Sequence, residues 1–191
     1  AAGTYLIPST GCSGFDKISS AVSYINANGI SGAGGVIFSI TPAYTETAPV
    51  GGYAITATGT VTNGITFQRN GAGANPVITA GLQVAGTNND GIFKIIGGDY
   101  ITIQNLTLQE NAGNTVTATG ATNTMTEWGV ALLYASNTNG PNNNTIQNNT
   151  ISLNRNYPNS FAIYSNMRHN AVTPATGADM TNTSSGSNKV Y

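Results

Sequence analysis

Glu46, Asp90, Asp99, Glu110, Glu127 and the lone histidine, His169, are among the residues here whose types could do acid–base or metal chemistry. A calcium site needs roughly 6–8 oxygen ligands with several carboxylates among them. Glycoside hydrolysis needs two acids at short separation. Asp90, Asp99, Glu110 and Glu127 are scattered, with no two expected at matching strand positions, and there is no Asp-Asp pair. His169 sits in Met167-Arg168-His169-Asn170 with no carboxylate or cysteine close in sequence, so it reads as a surface histidine. Glu46, in Tyr44-Thr45-Glu46, reads as a loop residue that caps backbone amides rather than as an acid catalyst. The sequence assigns no catalytic residue, no metal and no cofactor.

Two neutral patterns could carry binding instead. Trp128, Tyr134 and Tyr164 fall in or beside predicted strands. On a solvent face they would form a sugar-binding platform, since aromatic faces suit sugar C–H groups; turned inward they would be packing. The runs Thr56-Ala57-Thr58-Gly59-Thr60-Val61-Thr62 and Thr115-Val116-Thr117-Ala118-Thr119 raise ice binding as a minor reading. A flat threonine array orders water only if Thr recurs on the same face of every coil, which circuits of unequal length are not expected to supply. The Asn-x-Ser/Thr sites at Asn105, Asn143, Asn148 and Asn182 carry no signal in a chain this rich in Asn and Thr.

The elements that must position these residues are marked by a phrase that occurs twice. Ile101-Thr102-Ile103-Gln104-Asn105-Leu106-Thr107-Leu108 returns as Asn144-Thr145-Ile146-Gln147-Asn148-Asn149-Thr150-Ile151, at an offset of 43 residues (146 − 103). Apolar and polar residues alternate at period two, an amide interrupts, and alternation resumes: a strand, a bend and a strand. Ile65-Thr66-Phe67-Gln68 places Phe67 on Ile103, and Asn188-Lys189-Val190-Tyr191 places Val190 on Ile146. A second set, Ile92–Ile95, Val130–Tyr134 and Phe161–Tyr164, precedes the first. Similar phrases a full circuit apart predict an all-β chain wound as a right-handed parallel β-helix, with unequal loops pushed outward. Asn105 and Asn148 are expected to stack as an amide ladder at the bend.

One helix is predicted over about 13–28, from Phe15, Ile18, Ala21, Val22 and Ile25 on one face. Ser13 would be its N-cap with Asp16 completing a capping box, and Gly29 its left-handed C-terminal residue. It would cover the open end of the first coil. Coils over about 35–191 complete a single module, with Thr173–Ser187 an excluded loop. Ala1-Ala2-Gly3-Thr4-Tyr5 looks like what remains after cleavage at a small-residue site, so secretion is expected. Asn188–Tyr191 begin a further coil, so the chain is expected to be the N-terminal part of something longer or to self-associate there.

Composition closes off several classes. Charged residues make up 7% of the 191 positions and the net charge is −1, so there is no basic footprint for nucleic acid and no polybasic membrane anchor. No stretch approaches the ~20 apolar residues of a membrane span. Cys12 is the only cysteine, which rules out an intrachain disulfide and a thiolate metal cluster.

The predicted helix, Gly35-Val36-Ile37-Phe38, Tyr44-Thr45-Glu46 and the two Ile-Gln-Asn phrases together resemble the pectate-lyase-like superfamily of right-handed parallel β-helices. They are also similar to the N-terminal modules of large secreted bacterial surface proteins and adhesins. The resemblance implies polysaccharide lyases, hydrolases or esterases among its members. The calcium-binding carboxylates and Arg base of such lyases have no match here, nor do the Asp, Arg and Trp motifs of pectin methylesterases. The sequence therefore points to a secreted or cell-surface module with a non-catalytic adhesive or structural role, contacting a polysaccharide or another surface partner. The alternative is the N-terminal part of a polysaccharide-degrading enzyme whose catalytic residues lie in later coils.

Overall fold

The structure, a computed structural model, describes residues 2–11, 13–87, 89–120, 122–170 and 186–191, with backbone alone for 166–170. Its strands are β1 (Gly3–Ile7), β2 (Val36–Ile40), β3 (Thr45–Thr47), β4 (Tyr53–Ile55), β5 (Ile65–Arg69), β6 (Val77–Thr79) and β7 (Gly91–Ile96). They continue as β8 (Ile101–Gln104), β9 (Thr107–Gln109), β10 (Trp128–Tyr134), β11 (Thr145–Gln147), β12 (Thr150–Ser152), β13 (Phe161–Asn170) and β14 (Lys189–Val190). α1 (Ile18–Asn28) is the one helix among the described residues. Three sheets result, in the orders β1-β2-β5-β8-β11-β14, β3-β6-β9-β12 and β4-β7-β10-β13, here called the first, second and third sheets. All their strand pairs are parallel. From β2 onward the chain visits the first, second and third sheets in turn and then returns to the first.

The registers follow the sequence phrases: Phe67 pairs with Ile103, Ile103 with Ile146, Ile146 with Val190, and Leu108 with Ile151. Alternation dictates which side turns in. Ile101 and Ile103 are buried while Thr102 and Gln104 are half-exposed, and β5 repeats that order. The inward columns meet in one core, where Phe38 stacks on Phe67 at 4.7 Å, Tyr53 approaches Phe93 at 5.0 Å, and Phe67 meets Phe93 at 6.0 Å. Each such buried side chain contributes about 1.5–3 kcal/mol of transfer free energy.

Ile18, Ala21, Val22 and Ile25 of α1 are buried in that core. Gly29 ends the helix at φ 58°, its N–H donating to Ile25 O at 2.8 Å. The start differs from expectation. The N-cap is Lys17, which makes no side-chain cap, and the Ser13–Asp16 box does not form; Asp16 bonds Ser20 instead. Glu46, from β3, caps the helix from outside it: Ile18 N–H donates to Oε2 at 2.7 Å and Ser19 N–H to Oε1 at 3.2 Å. Asn26 binds the edge strand β4, donating to Ala54 O at 2.7 Å and accepting from the N–H groups of Thr56 and Ala57. At the edge of the first sheet, Gly3–Ile7 is a strand paired with β2, where Ala1–Tyr5 was expected only as a trimmed terminus.

The cross-strand amide bonds come not from Asn105 and Asn148 but from Asn149, one position on, and Asn144, at the start of β11. Asn105 and Asn148 take left-handed backbone at φ 56° and 54°, which asparagine tolerates better than most residues. The bonds between neighbouring strands come from Asn149 and Asn144. Asn149 accepts from Leu106 N–H at 3.0 Å and donates to Ile103 O at 2.9 Å. Asn144, fully buried, accepts from Ile101 N–H at 2.9 Å, donates to Gly98 O at 2.9 Å and bonds Asn188 at 3.0 Å. Of the loop expected over 173–187, residues 173–185 lie outside the described residues.

Candidate functional site

The scattered acids are partly brought together. Trp128 pairs with Gly91, so Glu127 and Asp90, each just before its strand, stand opposite one another. They were expected to share no strand position. Phe93 pairs with Val130 at an offset of 37 residues (130 − 93), and the same offset carries Asp90 onto Glu127. That signal was readable in the second set of strand phrases. Lys94, from β7, completes a buried group in which Asp90 is 4%, Lys94 9% and Glu127 2% exposed.

Glu127 has both oxygens engaged: Tyr157 O–H donates to Oε1 at 2.8 Å and Asp90 N–H to Oε2 at 3.0 Å. Burial pushes its carboxyl up to about 7, against the lowering effect of the Tyr157 bond. Burial also raises Asp90, whose carboxylate accepts the Thr87 hydroxyl, and lowers the Lys94 ammonium, which donates to Asn89 O at 3.3 Å. A carboxyl near 7 suits general acid–base work when it faces a substrate. Here the protein's own groups occupy it.

The remaining acids act likewise on the scaffold. Glu110 Oε1 accepts from Asn111 N–H, Asn114 Nδ2 and Thr126 O–H, and Oε2 accepts from Thr126 N–H. It thereby ties the two ends of the β9–β10 connection. Asp99 accepts from Asn142 N–H at 2.7 Å. Glu46 accepts Tyr44 and Tyr53 hydroxyls at 2.9 and 2.7 Å besides the two helix amides, so it does cap backbone amides as expected. An open cleft of about 450 Å³ lies beside Glu110, Asn111, Asn114, Ser152 and Asn154. Its acid and amides are already drawn into the internal bonds of these loops.

The aromatic platform is not presented to solvent. Trp128 and Tyr134 are 2% and 3% exposed, and half-buried Tyr164 stacks on Trp128 at 4.8 Å and 15°. Burial of large rings on strands that pair directly, β10 and β13, turned the three residues into packing. His169 lies on the backbone of β13, and its side chain is outside the described residues.

What the repeat does present is a polar rail. On the outward side of the first sheet, Thr66, Thr102 and Thr145 align in one column and Gln68, Gln104 and Gln147 in the next. Gln104 Nε2 donates to Gln68 Oε1 at 2.6 Å, and Gln147 Nε2 donates to Gln104 Oε1. Each amide can make two further bonds or more, since it has two N–H groups and two lone pairs and the rail uses at most one of each.

The fold and these sites define an all-β chain of parallel sheets with a single described helix. Comparison with protein-family models, curated proteins and solved structures gave no match. Among the described residues no cluster of three or more His, Cys, Asp or Glu could hold a metal, and no helix is long and apolar enough to cross a membrane.

Proposed function

We propose that this chain is a right-handed parallel β-helix module of the pectate-lyase-like kind, secreted or displayed at a cell surface. Its role is adhesion or assembly without catalysis, and it contacts neutral polysaccharide along the Thr-x-Gln rail. The cyclic visiting order of three parallel sheets supports the architecture, and parallel crossovers are right-handed in nearly all proteins. The observation that carries the function is the contrast between acids and amides. The described carboxylates are drawn into hydrogen bonds that hold the scaffold, while one Thr–Gln pair repeats outward on three neighbouring strands. A repeating neutral pair at a spacing of ~4.8 Å suits a linear, uncharged, hydroxyl-rich polymer better than a charged one.

The test is binding of the chain to a panel of neutral and acidic polysaccharides, read by co-sedimentation and calorimetry, with product analysis for cleavage. Neutral polymers are expected to bind, and Gln104→Ala to weaken binding at least tenfold. Absence of binding across the panel would refute the carbohydrate contact. Release of reducing ends or unsaturated products would refute the non-catalytic role.

A further inference from the structure

The second sheet turns a different surface outward. Thr45, Val77, Thr107 and Thr150 align in one column across β3, β6, β9 and β12. Thr47, Thr79, Gln109 and Ser152 align in the next. Ile78 and Leu108, between the columns on β6 and β9, are buried, so the columns themselves face out. Thr45, Thr47, Thr150 and Ser152 are exposed and the other four half-buried. The Thr-x-Thr runs at 56–62 and 115–119 lie outside the strands and contribute nothing to this array. The unequal circuits do not disturb it, because the length differences fall in the connections between strands.

We propose that this face binds ice. Six of the eight positions carry a hydroxyl, and none carries a charge. Neighbouring strands lie roughly 4.8 Å apart, and same-side residues along a strand roughly 6.7 Å apart. The face is therefore a regular two-dimensional grid of hydroxyls and methyls. Threonine is stiff about χ1, so the grid is ordered before any ligand arrives. Thr79 Oγ1 accepts from Gln109 Nε2 at 3.0 Å, while the hydroxyls of Thr45, Thr47, Thr107, Thr150 and Ser152 take no part in the described hydrogen bonds. A neutral grid with unused hydroxyls complements a neutral lattice that offers donors and acceptors at every point, and the methyls order water at their own surface. This inference is independent of the rail on the first sheet.

The experiment measures thermal hysteresis and inhibition of ice recrystallisation by the full chain. A freezing point held below the melting point is expected for the wild type. Thr107→Tyr, at the centre of the grid, should reduce it at least fivefold, while Val61→Tyr, on an exposed connection, should leave it unchanged. Far-ultraviolet circular dichroism reports folding. If Thr107→Tyr does not fold, Thr47→Tyr at the exposed edge strand replaces it, with the same loss expected. Absence of both ice activities in the folded wild type overturns the proposal, as does full activity in a folded grid variant. Loss of polysaccharide binding in the grid variants, with no ice activity in the wild type, would reassign the face to a sugar polymer.

Discussion

Asp90 and Glu127 hold each other across neighbouring strands. Asp90 N–H donates to Glu127 Oε2 at 3.0 Å, and Asp90 O accepts from the backbone N–H groups of Glu127 and Trp128, each at 3.0 Å. The pair locks the start of β7 to the start of β10, immediately before the Trp128–Gly91 register begins. Tyr157 closes the far side of the Glu127 carboxyl, so water is kept from it. A group of this chemistry in this position sets the pH dependence of folding.

Stability should fall as pH rises from about 5 to about 7. The Glu127 carboxyl stands at about 7 in the folded chain against an ordinary 4.5, so within that window the native state binds more protons than the unfolded one. Such a displacement corresponds to roughly 3 kcal/mol, lost as pH climbs through the window. Raised Asp90 acts in the same sense at the acidic end, and lowered Lys94 in the opposite sense at alkaline pH. Urea midpoints at pH 5 and 7.5 measure the fall, and Glu127→Gln should flatten it. A midpoint that climbs across this range, or an unchanged slope in the variant, would contradict the assignment.

Glu46 should be the most sensitive carboxylate at the helical end of the molecule. It serves two helix amides and two phenols at once, and both phenols are held above their ordinary range by burial and by this carboxylate. Glu46→Ala removes a helix cap, which costs ~1 kcal/mol, and strands part-buried donors at ~1–3 kcal/mol more. Thermal melting should show a loss of about 2–4 kcal/mol, with Glu46→Gln intermediate. A loss under ~0.5 kcal/mol in Glu46→Ala would mean that water replaces the carboxylate.

How much of this was legible depended on whether a residue had a second copy in the chain. Phe67, Ile103, Ile146 and Val190 carry the same local phrase, so their register could be read. Gly3–Ile7 has no such copy and pairs only by proximity to β2, so alternation over five residues was too little to reveal it. Amide capping by Glu46 could be read from its type, although the residue lies on β3 and not in the expected loop. Its target could not, because Ile18 lies 28 residues away and is reached only through the packing of α1 on the core. The ladder was displaced because left-handed backbone and cross-strand bonding fall to different asparagines, the bonding ones lying at the two ends of β11. Left-handed backbone selects Asn105 and Asn148, while a buried, bond-hungry backbone selects Asn149 and Asn144.

That division of labour gives opposite results for two asparagines. Asn144→Ala leaves Ile101 N–H and Gly98 O without their amide partner at a fully buried site, which costs about 2–4 kcal/mol. Asn105→Gly relieves the left-handed backbone and should change stability by less than ~1 kcal/mol. Chemical denaturation of the two variants side by side measures the contrast. Equal losses would show that the Asn105 side chain does more than tolerate the bend.

Trp128 offers the last check, because a binding ring and a packing ring respond differently to removal. Its indole is 2% exposed and lies stacked on Tyr164, beside buried Ala131 and Leu133. Trp128→Ala opens a cavity and should cost about 3–5 kcal/mol, whereas Trp128→Phe keeps a stacked ring and costs less. In the Phe variant, which is expected to fold, polysaccharide affinity should stay within twofold of the wild type, since the rail is on another sheet. Calorimetric titration of Trp128→Phe against a neutral polymer that binds the wild type decides the point. A tenfold loss of affinity at unchanged melting temperature would return Trp128 to the binding surface.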